Sequence, residues 1–124
     1  MPLATIGNPR YISLRTFRKT GVAVDTPVWV AAEGGKLYVM TTLATGKAKG
    51  IRNNAQVGVC VCDMRGRTKG EWIPAQARIA ESPEEVAAGL ARVGRKYGWQ
   101  FRLSRLRGNH DNETILEISD PAEL

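Results

Sequence analysis

Residues 41–54 read TTLATGKAKGIRNN and form a compact basic segment after a strand-forming stretch. The segment is too polar and too rich in glycine for a strand, and Thr45 suits an N-cap, so a short helix is predicted to begin near Thr45. Three cations lie close together in it: Lys47, Lys49 and Arg52. Fixed positive charge beside hydroxyls and Gly46 at a helix start suits a phosphate group, although a solvated basic helical face has the same pattern.

The remainder of the chain is dominated by stretches with strand-like alternation. Six strands are predicted, at Tyr11–Phe17, Val22–Ala31, Lys36–Thr42, Gln56–Cys62, Glu71–Ala80 and Glu113–Ile118. Residues 18–21 and 33–35 are predicted to be tight turns that join the first three strands, because each contains glycine where a positive φ is needed. These strands in series indicate a β-meander over the first two-thirds of the chain.

One long helix follows the fifth strand. Ser82 is a suitable N-cap, Pro83 takes the first helical position and Glu85 completes a capping box. Gly98 ends the helix, and Trp99–Leu106 is predicted to be a short helix or an extended arm. The predicted strands follow one another, the long helix comes after the fifth of them, and strands and helices do not alternate as in βαβ units. This order favours one barrel-like β or α+β domain over residues 1–124.

Composition and charge narrow the range of partners. The chain has 124 residues and a net charge of +6, and residues 1–70 hold eleven Lys and Arg against three acids, a net of +8. This asymmetry predicts an anionic partner, such as a phosphorylated cofactor, nucleic acid or an acidic protein. No apolar run approaches the roughly 18 residues that span a bilayer, and the N-terminus lacks secretory features, so a cytoplasmic location is expected.

Several kinds of catalytic site find no support in the sequence. The chain has no thiol besides Cys60 and Cys62, and its only histidine, His110, lies far along the sequence, so a metal site is not expected. Two small buried or half-buried side chains fit better. A single histidine in a polar loop, with no G-x-S-x-G motif, does not indicate a nucleophilic triad. Phosphate-loop and Rossmann fingerprints are also missing from the sequence.

A second segment, Asp25–Trp29, contains a proline within a strand. Pro27 cannot donate to a ladder, so it is expected at an edge, at a bulge or facing a partner other than a strand. Thr26 and the amide of Val28 are then candidates to hydrogen-bond a flat heterocycle. The alternative is a plain edge-strand proline with Trp29 in the core.

Together these segments resemble a known family over Tyr11–Ile79. The matching stretches are Tyr11–Arg18, Thr26-Pro27-Val28-Trp29, Leu37–Val39, Gly46–Asn54, Val57 and Cys62–Gly66. The chain is similar to the pyridoxamine 5′-phosphate oxidase-like flavin and deazaflavin oxidoreductases, in particular the branch that uses coenzyme F420. It departs from the family pattern at Thr45, where serine is frequent, and at Ala55, where proline is usual.

The resemblance implies a mainly β fold, a split β-barrel of the FMN-binding-protein type with six to seven antiparallel strands and one main helix. It implies a homodimer with a cofactor site at each interface. Gly46, Lys47, Lys49 and Arg52 would hold the cofactor phosphate. Thr26, Pro27 and Val28 would lie along the ring, while Met40, Thr41 and Thr42 would line the ring and its linker.

The activity implied is hydride transfer from reduced F420 to an electron-poor small molecule. F420 carries a phosphodiester and an acidic oligoglutamate tail, which suits the basic first half, including Arg65, Arg67 and Lys69, better than FMN does. An FMN-dependent oxidase or reductase of the same fold, and a non-enzymatic flavin or deazaflavin carrier, are the alternatives. The proton donor stays open between Tyr38, an arginine and water.

A nucleic-acid-binding module is the alternative from another class. It would use aromatic Trp99 and Phe101 among the cations Arg92, Arg95, Lys96, Arg102, Arg105 and Arg107. Such a cluster is more often a solvated helix face or part of a dimer interface, and salt-sensitive binding to single strands would distinguish it.

Overall fold

Seven strands form one antiparallel sheet in the computed structural model, which describes residues 2–43, 45–106 and 112–121. The strands are β1 Tyr11–Phe17, β2 Ala23–Trp29, β3 Ala31–Glu33, β4 Lys36–Thr42, β5 Gln56–Val61, β6 Ile73–Ile79 and β7 Glu113–Ser119. The helices are α1 Gly46–Asn53, α2 Pro83–Tyr97 and α3 Trp99–Ser104, with a 3-10 turn at Leu3–Ile6. The predicted start of the fifth strand at Glu71 is wrong by two residues.

The strand order is β2-β1-β5-β6-β7-β4-β3, so the predicted meander is wrong. β4 pairs with β7 rather than with its sequence neighbour β5, and β5 pairs with β1. Alternation identifies a strand but carries no information about its partner. The interposed α1 sends the chain away from β4 before it re-enters the sheet beside β1.

The stretch predicted as one strand over Val22–Ala31 is divided at Val30. The Tyr97 hydroxyl lies 2.9 Å from the Val30 amide, which therefore leaves the ladder. β2 and β3 consequently lie at opposite edges of the sheet although they are consecutive in the chain. The sheet curls around this corner into the predicted split barrel, with no ladder joining β2 to β4 within the described residues.

The core fills the inside of the curled sheet. Alternate residues of β1, β4, β5 and β7 are buried there, including Leu14, Val39, Val59 and Leu116. α1 packs against β1, β4 and β6 and adds Ile51 to this core, so it closes one end of the barrel.

The long helix α2 begins as predicted. The Ser82 side chain accepts a hydrogen bond from the Glu85 amide at 3.2 Å, and Pro83 occupies the first turn. No helix within the described residues is both long enough and apolar enough to cross a membrane.

Candidate functional site

A cavity of about 410 Å³ lies between the β1–β2 hairpin and α1, at the end of the barrel that α1 closes. Its walls combine apolar and hydroxyl side chains with four cations and no acidic group. The lining residues are Thr16, Phe17, Arg18, Lys19, Val24, Thr26, Gly46, Lys47, Lys49, Gly50 and Asn53. Its volume falls in the range of small-molecule sites.

The hairpin wall has a defined turn. The Arg18 amide donates to the Val22 carbonyl at 2.9 Å, and the Gly21 amide donates to the Arg18 carbonyl at 2.8 Å. Gly21 has φ of +87°, so this is a three-residue turn closed by a glycine bulge. The turn places Arg18 and Lys19 at the tip, where both side chains are exposed.

The wall formed by α1 begins at Thr45, whose hydroxyl caps the helix. The Thr45 hydroxyl accepts from the Ala48 amide at 3.2 Å, donates to the Thr42 carbonyl at 2.9 Å and lies 3.1 Å from the Thr41 hydroxyl. The first turn contains no acidic residue. The free amides of such a turn face an anion favourably, and here Gly46 and Lys47 of that turn line the cavity.

Two glycines of α1 set the shape of the cavity. A Cβ on Gly50 would lie 3.3 Å from Cβ of Thr16 and 3.4 Å from the Phe17 carbonyl oxygen, so glycine lets α1 approach β1 closely. A Cβ on Gly46 would meet nothing within 4 Å. The helix start is therefore open to a ligand, while the next turn is held tightly against the sheet.

Lys47 is a partly buried cation whose side chain has no partner within the described chain. Its side chain is half-buried, and this desolvation lowers the pKa of the ammonium. It has no hydrogen bond or ion pair with any other part of the described chain. Removing part of an ammonium group from water is favourable when an anion takes the place of the water, so a bound anion would fit this position.

The structure brings together part of the predicted site. Thr26, Gly46, Lys47 and Lys49 share the cavity, whereas Arg52 is exposed and does not line it. Contact between Arg52 and a cofactor stays a prediction.

The end of β4 is placed differently from the predicted lining. The buried hydroxyl of Thr41 faces Thr45, so it supports the cap of α1. Met40 and Thr42 lie on the opposite face of β4, together with Tyr38, which contacts Arg92 of α2. Met40, Thr41 and Thr42, the predicted lining residues, are therefore not among those that line the cavity.

The backbone of β2 differs from expectation at Val28. The Arg18–Val22 hydrogen bond sets the alternation of the β1–β2 ladder, in which Thr26 and Val28 direct their amides towards β1. The predicted ligand bond from the Val28 amide is therefore wrong. The backbone groups that point away from β1, towards the free edge of the sheet, belong to Pro27 and Trp29. Pro27 is tolerated because its backbone nitrogen, which has no hydrogen to donate, lies on this unpaired side. Trp29 is half-buried and stacks on Tyr97 at 4.4 Å between centroids.

Sequence reasoning missed the hairpin contribution to the cavity. Arg18 and Lys19 were interpreted only as turn residues, and Thr16, Phe17, Val24, Gly50 and Asn53 were not assigned to a site. Two consecutive cations at a hairpin tip were the available signal. The position of Arg18 and Lys19 beside α1 depends on tertiary packing, which local sequence patterns do not predict.

Other sequence candidates are engaged elsewhere. Arg92 forms an ion pair with Glu33, Arg105 forms one with Glu113, and the Lys96 ammonium donates to the Val30 carbonyl at 2.6 Å. These three members of the cluster considered for nucleic acid therefore have partners within the protein, and Arg107 of that cluster lies outside the described residues. Cys60 and Cys62 are buried free thiols, as predicted, and the described ranges bring together no metal-binding group of His, Cys, Asp and Glu. His110 lies outside the described residues.

The cap of α1 gives a first testable prediction. Thr45→Ala should lower the free energy of unfolding by about 1 kcal/mol, because the Ala48 amide and the Thr41 hydroxyl lose their partner. Urea denaturation measures this change. Thr45→Ser keeps the hydroxyl and should stay within about 0.5 kcal/mol of the natural protein; equal losses in both variants would refute the role of the cap.

The comparisons with known proteins agree with this fold. The family model of pyridoxamine 5′-phosphate oxidase matches residues 3–119. No curated protein sequence matches the chain. Among solved structures, an F420 reductase is 18% identical with a TM-score of 0.68, over 96% of this chain and 93% of that one.

Two haem proteins have similar structures. The haem storage protein HutZ from Vibrio cholerae is 13% identical with a TM-score of 0.70, over 92% of this chain and 83% of that one. A haem-binding protein from Mycobacterium smegmatis is 10% identical with a TM-score of 0.68, over 94% of this chain and 48% of that one. These neighbours support the fold, and the family model covers nearly the whole chain: the chain belongs to the pyridoxamine 5′-phosphate oxidase family.

Proposed function

We propose that the protein is an oxidoreductase that binds coenzyme F420 and uses it to reduce an electron-poor small molecule. The observation that carries the proposal is the cavity between the β1–β2 hairpin and α1, in which Thr26 faces the same space as Lys47 and Lys49. The open helix start at Gly46 and the unpaired Lys47 fit a phosphate group. When bound, the deazaflavin supplies the hydride for the reduction.

The chain's own residues bind and orient the cofactor. Lys47 and Lys49 hold the phosphate by charge-assisted hydrogen bonds, aided by the amides at the start of α1. The Thr26 hydroxyl and the free edge at Pro27 orient the ring along β2. The apolar side chains of Phe17 and Val24 exclude water from the space between these two ends.

Charge supports F420 over FMN. The cavity contains four cations and no acid, and FMN offers one phosphate with a charge of about −1.5 to −2. The phosphodiester and glutamyl carboxylates of F420 provide more negative charge over a greater length. FMN is the alternative within the same site.

We also propose a homodimer in which the second copy completes the cofactor site. α3 presents Trp99 at 69% exposure and Leu103 at 53%, and Leu106 beyond it is 81% exposed. A small domain seldom leaves such side chains in water without an interaction partner. Light scattering at micromolar concentration should give twice the monomer mass, and a stable monomer would contradict the proposal.

Haem binding is a rival because two structural neighbours bind or store haem. The described residues contain no histidine, and the thiols of Cys60 and Cys62 are at most 5% exposed. Neither offers an accessible axial ligand there. A Soret band with a stoichiometric titration endpoint would favour haem over the deazaflavin.

Turnover separates an enzyme from a carrier. The purified protein is mixed with reduced F420 and a panel of activated alkenes and quinones, and reoxidation is followed at the F420 absorbance band. The proposal expects acceptor-dependent reoxidation that scales with protein concentration. Tight binding with no reoxidation by any acceptor would indicate a carrier.

The lowered pKa of Lys47 predicts pH-dependent cofactor binding. A bound anion favours the ammonium, so binding takes up a proton once the pH exceeds the lowered pKa of the free protein. Affinity for F420 should therefore begin to fall at a lower pH than it would if Lys47 had an ordinary lysine pKa. Above that pH it should fall by up to about tenfold per pH unit. Lys47→Arg keeps its charge and should flatten this fall, which titrations across alkaline pH would show. An identical pH profile in both proteins would exclude Lys47 as the cause.

A further inference from the structure

We propose that Lys96 and Tyr97, the last two residues of α2, are positioning residues that fix the edge of β2 along which the cofactor ring is oriented. Neither residue lines the cavity. The inference deepens the proposed function and rests on it. It gives α2 the task of holding the ring end of the site, while α1 holds the phosphate end. Lys96 and Tyr97 together are called the corner clamp.

Both backbone groups of Val30, the residue that follows β2, are bound by the corner clamp. The Val30 amide donates to the Tyr97 hydroxyl at 2.9 Å, and the Lys96 ammonium donates to the Val30 carbonyl at 2.6 Å. The Val30 side chain is fully buried in the core. The corner after β2 is therefore fixed on two sides, by core packing and by two hydrogen bonds to α2.

The corner clamp also binds the segment that leads into β1. The Tyr97 hydroxyl donates to the Arg10 carbonyl at 2.6 Å. The Lys96 ammonium donates to Asn8 Oδ1 at 2.7 Å and to the Pro9 carbonyl. Together with the bond to the corner carbonyl, each of the three ammonium hydrogens has an oxygen acceptor. The start of β1 and the end of β2 are thereby tied to one point of α2.

The last residue of β2 is oriented by the same tyrosine. The Trp29 ring stacks on the Tyr97 ring with 4.4 Å between the centroids and 9° between the planes. Trp29 pairs with Tyr11 at the final position of the β1–β2 ladder, and the hairpin turn closes the opposite end. The ladder is therefore fixed at both ends, by the turn and by α2.

β2 depends on such support because it is an edge strand. β1 is its only ladder partner among the described residues, so its outer backbone groups have no neighbouring strand. Thr26 and Pro27, the proposed ring contacts, lie on this strand within four residues of Val30. A displacement of about 1 Å at a reacting centre can lower turnover about a hundredfold. A shift of the corner therefore acts on turnover through the position of the ring.

Amide hydrogen exchange tests the corner clamp without a ligand. Tyr97→Phe keeps the ring stacked on Trp29 and removes only the hydroxyl. The Val30 amide then loses its acceptor and should exchange at least about tenfold faster, whereas the Val24 amide at the hairpin end of β2 should stay within about twofold. Tyr11→Phe is the matched control and should change neither rate, because the Tyr11 hydroxyl has no hydrogen bond with another described residue.

Binding and turnover of F420 connect the corner clamp to the site. In Tyr97→Phe the Kd of F420 should change by less than about threefold, because the phosphate contacts at α1 are intact. The turnover number with an electron-poor acceptor should fall about tenfold, and the absorption maximum of bound F420 should shift, because the ring is displaced. Lys96→Met keeps the hydrogen bonds of Tyr97 and provides an independent test, with the same split between Kd and turnover number expected. Tyr11→Phe should match the natural protein in all three measurements.

Different failures have different meanings. An unchanged exchange rate of the Val30 amide in Tyr97→Phe, or equal acceleration at Val24 and Val30, would overturn the inference. Faster exchange confined to Val30 with the natural absorption maximum and turnover number would also overturn it, since the corner would not position the ring. These results leave the proposed function intact. Failure of the natural protein to bind F420 would refute the proposed function, and this inference with it.

Discussion

Replacing Lys47 and Lys49 together with alanine should weaken F420 binding about a hundredfold. Each lysine is placed to make a charge-assisted hydrogen bond to the phosphate, and a combined loss of about 3 kcal/mol corresponds to that factor. Equilibrium titration of the double variant measures the change in Kd. The free energy of unfolding without ligand should change by less than about 0.5 kcal/mol, since neither lysine side chain has a hydrogen bond or ion pair with another described residue.

Arg52→Ala provides the contrast on the same helix. Arg52 is exposed and does not line the cavity, so its loss should change Kd by less than about threefold. A large effect of Arg52→Ala would support the contact between Arg52 and the phosphate that the sequence predicts. Unchanged affinity in the Lys47 and Lys49 double variant would exclude the phosphate site at α1.

Gly89→Ala should destabilise the protein by about 2 kcal/mol, although alanine is the better helix former. Gly89 lies in α2 against Ile115, and a Cβ there would lie 2.5 Å from Cγ1 and 2.7 Å from Cγ2 of that buried side chain. Overpacking of this kind destabilises a protein by up to about 3 kcal/mol, and the higher helix propensity of alanine relative to glycine offsets about 1 kcal/mol of that loss. Urea or thermal denaturation measures the difference.

Gly94→Ala is the control within the same helix. A Cβ at Gly94 would approach the Phe101 ring to 3.4 Å, an ordinary contact, so helix propensity should dominate. That variant should be as stable as the natural protein or up to about 1 kcal/mol more stable. Similar destabilisation by both substitutions would show that Ile115 is not the cause.

Local sequence patterns predicted the secondary structure well where the causes are local. Alternation identified β1 and β4, and the Ser82 cap with Pro83 identified the start of α2. The division of β2 from β3 was missed because its cause is the Tyr97 hydroxyl, 67 residues from Val30. The strand order was missed for a related reason, since partner choice is settled by packing across the whole sheet.

The candidate site divides in the same way. Lys47 and Lys49 were predicted because a cap, a glycine and clustered cations are neighbours in the sequence. Arg18 and Lys19 were missed because only the folded hairpin brings them beside α1. The direction of the Val28 amide was not predicted because it depends on the hairpin turn. The turn determines which residues of β2 direct their amides towards β1.

The central claim is that this cavity binds a deazaflavin with an extended anionic chain. Titration of the purified protein with F420 and, separately, with FMN tests it directly, with fluorescence quenching as the readout. We expect saturable F420 binding at least about tenfold tighter than that of FMN, as about 1.4 kcal/mol of additional ionic contacts would produce. Tighter binding of FMN, or binding of neither cofactor, would contradict it.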